Sequence, residues 1–407
     1  MVKRQWPKWR EMAPLLAPPP RTGTRIEHRL SRDANIADLR RRARRRTPRA
    51  PFDYVDGAAD DEVSLARSRA LFRSIEFVPH VLRDVSSCDP STTVLGRRVD
   101  YPFGFAPTGM TRFMRHEGEP AVACVAAEFD IPYVLSTVGT TTPEALAASV
   151  SDSDLWFQLY VWKERTVSET LIDAVRRAGF RTLVFTVDLP VGGARLRDVR
   201  NGLSFPPDLT LRTVLDGARH PSWWVNFLTT EPISFASLTT TAGTLMDTTD
   251  KLFDPALTFD DISWLRAQWQ GPIVVKGVQT VEDARRAVDH GADGVVISNH
   301  GGRQLDRSPV PLRLVRPTVD AIGNDAEVYV DGGIMNGADI VAAIALGARA
   351  AFVGRAYLYG LMAGGEPGVR RAATILTDDI IRTMKLLGVA SVDQLNPDHV
   401  RLPEART

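Results

Sequence analysis

Three observations predict a (β/α)8 barrel with an N-terminal helical extension and a long insertion after the fourth strand. From residue 100 onward, eight short apolar runs alternate with stretches of helical periodicity. The alternation extends over about 250 residues, the usual length of such a barrel. Nearly every run also ends in a polar residue, the pattern expected where a barrel builds its site from the C-terminal ends of its strands. No GxGxxG turn follows the first run, which argues against a doubly wound open sheet.

In chain order, residues 1–32 mix Pro, Arg and Trp without periodicity and read as an extended arm. A helical segment packing on the barrel is expected over 33–98. It opens at Asn35 and Ile36, runs into the basic stretch Arg40–Arg46 and stops at Thr47 and Pro48. The barrel itself spans 99–390. Its strands are expected at 102–107, 133–136, 155–160, 182–188, 272–276, 294–298, 328–331 and 350–354, and helices fall between most of them, such as 280–290 and 337–346. Residues 203–258 are too long for an ordinary connection and form an inserted region carrying Trp223, Trp224, Phe227 and Leu228. Those aromatics either cover a small core of the insertion or contact a membrane or a sister subunit. Residues 391–407 are a C-terminal tail.

The bulk composition narrows the function. Lys plus Arg number 50 against 49 Asp plus Glu, for a net charge of +1, so no global field draws the chain to nucleic acid. The one dense basic run reads as a solvated helix face, because no base-reading element accompanies it. Two cysteines, Cys88 and Cys124, are too few for a disulfide framework and suit a reducing compartment. No apolar stretch has signal-peptide or membrane-span length, so a cytoplasmic protein is expected, with peripheral contact on the inner face of the cell membrane left open. No metal site is expected.

The chemistry concentrates at SNHGGRQLD, residues 298–306, directly after the apolar run 294–297. A base at His300 and a guanidinium fork at Arg303 suit an enzyme that holds a carboxylate and takes a proton from the neighbouring carbon. The other strand ends supply Thr108, Ser136, Gln158 with Tyr160, Thr186 with Asp188, Lys276, Ser298 and Asp331. Asp331, Gly332 and Gly333, with Gly354 and Arg355, place bare backbone amides and a positive charge after strands seven and eight, where barrels often bind phosphate. Joined to Lys276, Ser136, Gln158 and Thr186, that site suggests a phosphorylated, planar, polar-edged cofactor, for which flavin mononucleotide is the natural candidate.

Six motifs together carry a family resemblance: SNHGGRQLD, FQLY at 157–160, TVD at 186–188, GARLRD at 193–198, VKG at 275–277 and DGG at 331–333. They occur in order between Phe52 and about Leu387. The chain resembles the FMN-dependent 2-hydroxy acid oxidases and dehydrogenases, and within them the bacterial L-lactate dehydrogenases that pass electrons to a quinone. The resemblance implies that His300 is the general base, with Asp188 orienting it. It implies that Arg303, Tyr54 and Arg195 bind the substrate carboxylate and that Tyr160 bonds the substrate hydroxyl. Ala106, Pro107, Thr108, Ser136, Gln158 and Thr186 would hold the isoalloxazine, with Lys276 at its N1/O2 edge. Ser298, Asp331, Gly332, Gly333, Gly354 and Arg355 would hold the ribityl phosphate. A tetramer or larger assembly is also implied.

Two departures stand out. Many members carry an arginine shortly after DGG, where this chain has Met335 and Asn336, which leaves the phosphate to Arg355 and backbone amides. Val138 and Gly192 replace larger residues of some oxidases, which implies a roomier pocket. The leading expectation is oxidation of L-lactate to pyruvate with electrons passed to a quinone or other acceptor. Two alternatives stand beside it: an oxidase that reduces oxygen to peroxide, and a non-catalytic barrel acting as a binding scaffold.

Overall fold

A computed structural model describes residues 5–16, 23–202, 216–231, 233 and 254–404. The apolar runs form eight parallel strands: β1 (Phe103–Phe105), β2 (Tyr133–Ser136), β3 (Leu155–Leu159), β4 (Thr182–Thr186), β5 (Ile273–Val278), β6 (Gly294–Ile297), β7 (Glu327–Asp331) and β8 (Ala350–Val353). They close into a barrel in chain order, β8 pairing back onto β1. Strands covered on both faces need apolar side chains at every position, and all six residues of β5 are buried. The barrel interior is filled by Val134, Trp156, Val184, Val274, Val296, Tyr329 and Phe352, while the helices pack outside it.

A hairpin of Thr92–Val94 and Arg97–Val99 plugs the N-terminal end, placing Val94 and Val99 in the interior cluster. Arg181, at the start of β4, donates to the carbonyls of Val94 and Leu95 and pairs at 2.8 Å with buried Asp154. With that end sealed, access is from the C-terminal ends of the strands.

Between residue 33 and the hairpin lie the helices α1 (Ile36–Arg46), α2 (Arg49–Asp56) and α3 (Val63–Arg73). Asn35 caps α1 by accepting from the backbone N–H of Asp38, and Ile36, Leu39 and Ala43 form its buried stripe. The basic run therefore is a helix face, though Arg40 turns inward to buried Asp56 and Arg42 to Asp33. No side chain of its own caps α3. Asp306, from the loop after β6, accepts instead from the amides of Val63 and Ser64.

Three regions differ from expectation. The arm contains two helices, Trp9–Leu16 and Arg25–Leu30, the second held by a capping box between Thr24 and Glu27. The C-terminal tail folds back, and Val400–Arg401 pairs antiparallel with Glu76–Phe77. In the insertion, Trp223 on the helix Pro221–Thr229 is only 8% exposed. It stacks on Phe227 at 4.8 Å, meets Phe113 edge-on at 6.1 Å, and its indole N–H donates to the carbonyl of Met114. Among the described residues these aromatics pack on one another and on the segment after β1. Residues 203–215, 232 and 234–253 of the insertion lie outside the described residues. Among the described residues no helix is long and apolar enough to cross a membrane.

Candidate active site

A cavity of about 550 Å³ opens at the C-terminal ends of the strands. Ala106, Pro107 and Thr108 line it after β1, Ser136 at the end of β2, and Gln158 and Tyr160 along β3. Thr186, Lys276 and Asp331 come from β4, β5 and β7, and Gly332, Gly333, Gly354 and Arg355 from the loops beyond β7 and β8. Tyr54, Arg195, His300 and Arg303 complete the wall. Asp188 lies behind His300. Ser298 departs from expectation: it is fully buried away from the cavity and accepts hydrogen bonds from the Lys276 ammonium and the His300 amide, 3.0 Å each.

His300 sits on a tight turn in the left-handed backbone region, with φ of +56°, followed by Gly301 and Gly302 in the same region. A Cβ on Gly302 would come within 2.9 Å of the Leu65 amide, so only glycine lets the turn approach α3. The turn presents the imidazole to buried Asp188, whose two oxygens lie 3.0 and 3.2 Å from Nδ1. Burial works to raise the Asp188 pKa, but His300 and Lys276 outweigh it and hold it below the usual carboxylate range. An ionised Asp188 makes Nδ1 the donor and leaves Nε2 as a free base. Burial, aided by Lys276 and Arg195, lowers the His300 pKa despite Asp188, so the ring is neutral at neutral pH.

Across the cavity, the guanidiniums of Arg303 and Arg195 lie 4.8 and 5.8 Å from the ring centre of Tyr54. Arg303 Nη1 donates to the carbonyls of Tyr54 and Gly57. Burial and the neighbouring Arg195 push Arg303 down to about 10, which still leaves it charged at neutral pH. Burial together with Asp188 raises the Tyr160 hydroxyl, so it stays protonated and able to donate.

Lys276 pairs with Asp331 at 3.0 Å. Burial disfavours its charge, yet Asp331 and Asp188 prevail and raise its pKa. The Arg355 nitrogens Nε, Nη1 and Nη2 donate to the carbonyls of Val55, Gly301 and Gly57 at 2.9, 3.0 and 2.7 Å. Arg355 therefore brings charge to the cavity wall while three of its five N–H donors bind backbone. At the loop after β7, a Cβ on Gly333 would meet Ser68 at 2.9 Å. Arg69 of α3 donates to the Gly333 carbonyl and to Asp339, which also accepts from the Met335 amide. Asn336 caps the next helix, Gly337–Ala345.

The residues fit a planar, polar-edged cofactor. Gln158 Nε2, Thr186 Oγ1 and Asp331 Oδ1 are buried without hydrogen-bond partners, although all three residues face the cavity. Such atoms are costly unless a ligand satisfies them. Sequence reasoning missed Met110, Met114, Leu189, Asp198, Phe352 and Leu358 in the wall. The strand-end rule could have reached Met110 and Leu189; nothing in the sequence marks Leu358, on the helix after β8.

A family model described as FMN-dependent dehydrogenase matches residues 43–402. A putative L-lactate dehydrogenase of Mycobacterium tuberculosis is 55% identical over 399 residues, covering 98% of this chain and 96% of that protein. An L-lactate dehydrogenase of Caulobacter vibrioides is 40% identical, covering 89% and 96%. Among solved structures, a monotopic membrane protein, (S)-mandelate dehydrogenase, matches with a TM-score of 0.87 and 37% identity, over 91% of this chain and 99% of that one.

Proposed function

The chain belongs to the FMN-dependent dehydrogenase family, and from that membership we propose that it oxidises a short L-2-hydroxy acid, foremost L-lactate, to the 2-keto acid. The observation that carries the reading is the cavity wall itself: a neutral imidazole backed by Asp188, beside Arg303, Arg195 and Tyr54. Bound FMN supplies the two-electron acceptor.

The chain's own residues do the rest. Arg303 and Arg195 grip the substrate carboxylate with the Tyr54 hydroxyl, which fixes the hydroxyl-bearing carbon near His300. His300 Nε2 takes a proton from the substrate, and Asp188 stabilises the imidazolium that results. Tyr160 hydrogen-bonds the substrate hydroxyl. Gln158, Thr186, Ser136, Thr108 and the 106–107 backbone would hold the isoalloxazine, and Lys276 would supply a positive charge that favours the reduced ring. The loops at 331–333 and 354–355 would hold its phosphate.

An aryl-bearing hydroxy acid such as mandelate is the second reading. It is favoured by Gly192, where a Cβ would meet nothing within 4 Å among the described residues beyond its chain neighbours, and by the mandelate dehydrogenase relatives. Electrons pass to a quinone or similar acceptor, in keeping with relatives named dehydrogenases. Peripheral membrane contact belongs to the same proposal. It is supported by exposed Val225 and Leu228 on the helix Pro221–Thr229 and by the relative described as monotopic. Self-association is proposed as well, supported by exposed Val81, Leu82 and Leu386.

The test is anaerobic. L-lactate, L-mandelate and their D-enantiomers are mixed with the yellow holoenzyme, and bleaching of the flavin band is followed. Bleaching by an L-hydroxy acid and not its enantiomer is expected; no bleaching by any of them refutes the proposal. Peroxide release against dye reduction then separates oxygen from a quinone-type acceptor.

A further inference from the structure

Arg195 caps the start of the five-residue helix Leu196–Arg200, Asp198 lies in its first turn, and both line the cavity. Their spacing of three residues sets them on one face. Arg197, between them, points the other way and ties the helix to the N-terminal segment. It meets Asp56 at 3.0 Å and Asp53 at 3.9 Å, and it also pairs with Glu62. Asn201 adds a bond of 2.8 Å to Asp53. The cavity face of this helix is therefore held by anchors on its far side.

On that wall two guanidiniums share one space, and each makes the other's charge less favourable unless an anion stands near them. The substrate carboxylate is such an anion once bound. Before it arrives, Asp198 is the carboxylate on the same wall, and no side-chain hydrogen bond to it is recorded among the described residues. We propose that Asp198 is the internal counter-anion of Arg195 and Arg303 and tunes substrate affinity by competing with the incoming carboxylate for their field. The inference rests on the reading of this cavity as a 2-hydroxy acid site.

The groups that face Asp198 are Arg303 from the loop after β6, Arg195 and Arg197 on its own helix, and Asp53 from α2. Burial raises the Asp198 pKa, and Arg303 and Arg195 offset that only in part. Acidification thus removes the competing charge and strengthens anion binding. His300 gains a proton on acidification too, so two groups own the pH dependence, and a substitution at Asp198 separates them.

The experiment uses the FMN-loaded enzyme and oxalate, a carboxylate that the proposed reaction does not consume, with binding read from the perturbed flavin absorbance across pH. The D198N enzyme is expected to bind oxalate about tenfold more tightly at neutral pH, the size of one charge–charge interaction across a cavity of intermediate dielectric. It should keep the pH step owned by His300 and lose the other. D198E, which retains the charge, should match the wild type. Unchanged or weaker oxalate binding by a D198N enzyme that still holds flavin overturns the inference, because it makes Asp198 a support for the arginines and not their competitor. A wild type whose flavin responds neither to oxalate nor to any hydroxy acid overturns the underlying reading of the site, and this inference with it.

Discussion

Replacing Asp188 with Asn tests the site most directly, because the amide keeps the size and an acceptor oxygen while deleting the charge behind the base. The carboxylate oxygens lie 3.0 and 3.2 Å from His300 Nδ1, and the side chain is only 3% exposed. With charge centres about 4 Å apart and an effective dielectric of about 20, the attraction for an imidazolium is on the order of 4 kcal/mol. That stabilisation appears only after His300 has taken its proton, so its loss falls on the barrier and slows substrate oxidation roughly a thousandfold. Anaerobic stopped-flow measurement of flavin bleaching at saturating hydroxy acid reads the rate without interference from reoxidation. The sign of the pH effect is fixed as well. Asp188 raises the His300 pKa against burial, Lys276 and Arg195. Removing it lowers that pKa further, so the acid limb of kcat/KM moves to lower pH. A rate within tenfold of wild type, or an acid limb displaced upward, would refute the assignment of Asp188 as the partner of a catalytic imidazole.

Exchanging Arg303 for Lys should raise KM by about one to two orders of magnitude with a smaller effect on kcat, since an ammonium lacks the planar fork; steady-state kinetics with L-lactate decide it. Lys276→Met leaves Asp331 buried without its 3.0 Å partner. A loss of about 3–5 kcal/mol in urea unfolding is expected, with weaker FMN binding by titration; an unchanged unfolding midpoint would mean that Asp331 finds another cation. Trp223→Ala removes the stack on Phe227 and the bond to the Met114 carbonyl. It should cost about 3–5 kcal/mol by the same measurement, and a neutral result would detach the insertion helix from the barrel.

Sequence reasoning reached the barrel because parallel strands buried on both faces must read as apolar runs. The observed β2 matches its expected bounds, and the others end within two residues of theirs. It reached the cavity because polar residues that close such strands have few other places to face. It says less where tertiary context decides. Ser298 stands at a strand end like the rest, yet its hydroxyl is taken by Lys276 and the His300 amide, a pairing between β5 and β6 that no single segment displays. Arg355 lines the cavity as expected of it, and three of its N–H donors also go to carbonyls at 55, 57 and 301, two of them some 300 positions away in the chain, a tie that no local pattern displays. The aromatics of the insertion gave no sign of which surface they cover, because that surface, at Phe113 and Met114, belongs to another segment.

The bonds from Arg303 and Arg355 to the carbonyls of Tyr54, Val55 and Gly57 carry a further consequence. The last turn of α2 and the residue that follows it are stitched to the reaction chamber from both sides, and Asp306 fastens the start of α3 to the same loop as the base. The division near residue 99 is thus one of topology alone. A barrel severed there would retain its strands but lose part of its own active-site wall, and two guanidiniums would be released from their moorings. Catalytic competence in this chain is consequently a property that matures only when the leading hundred residues have docked.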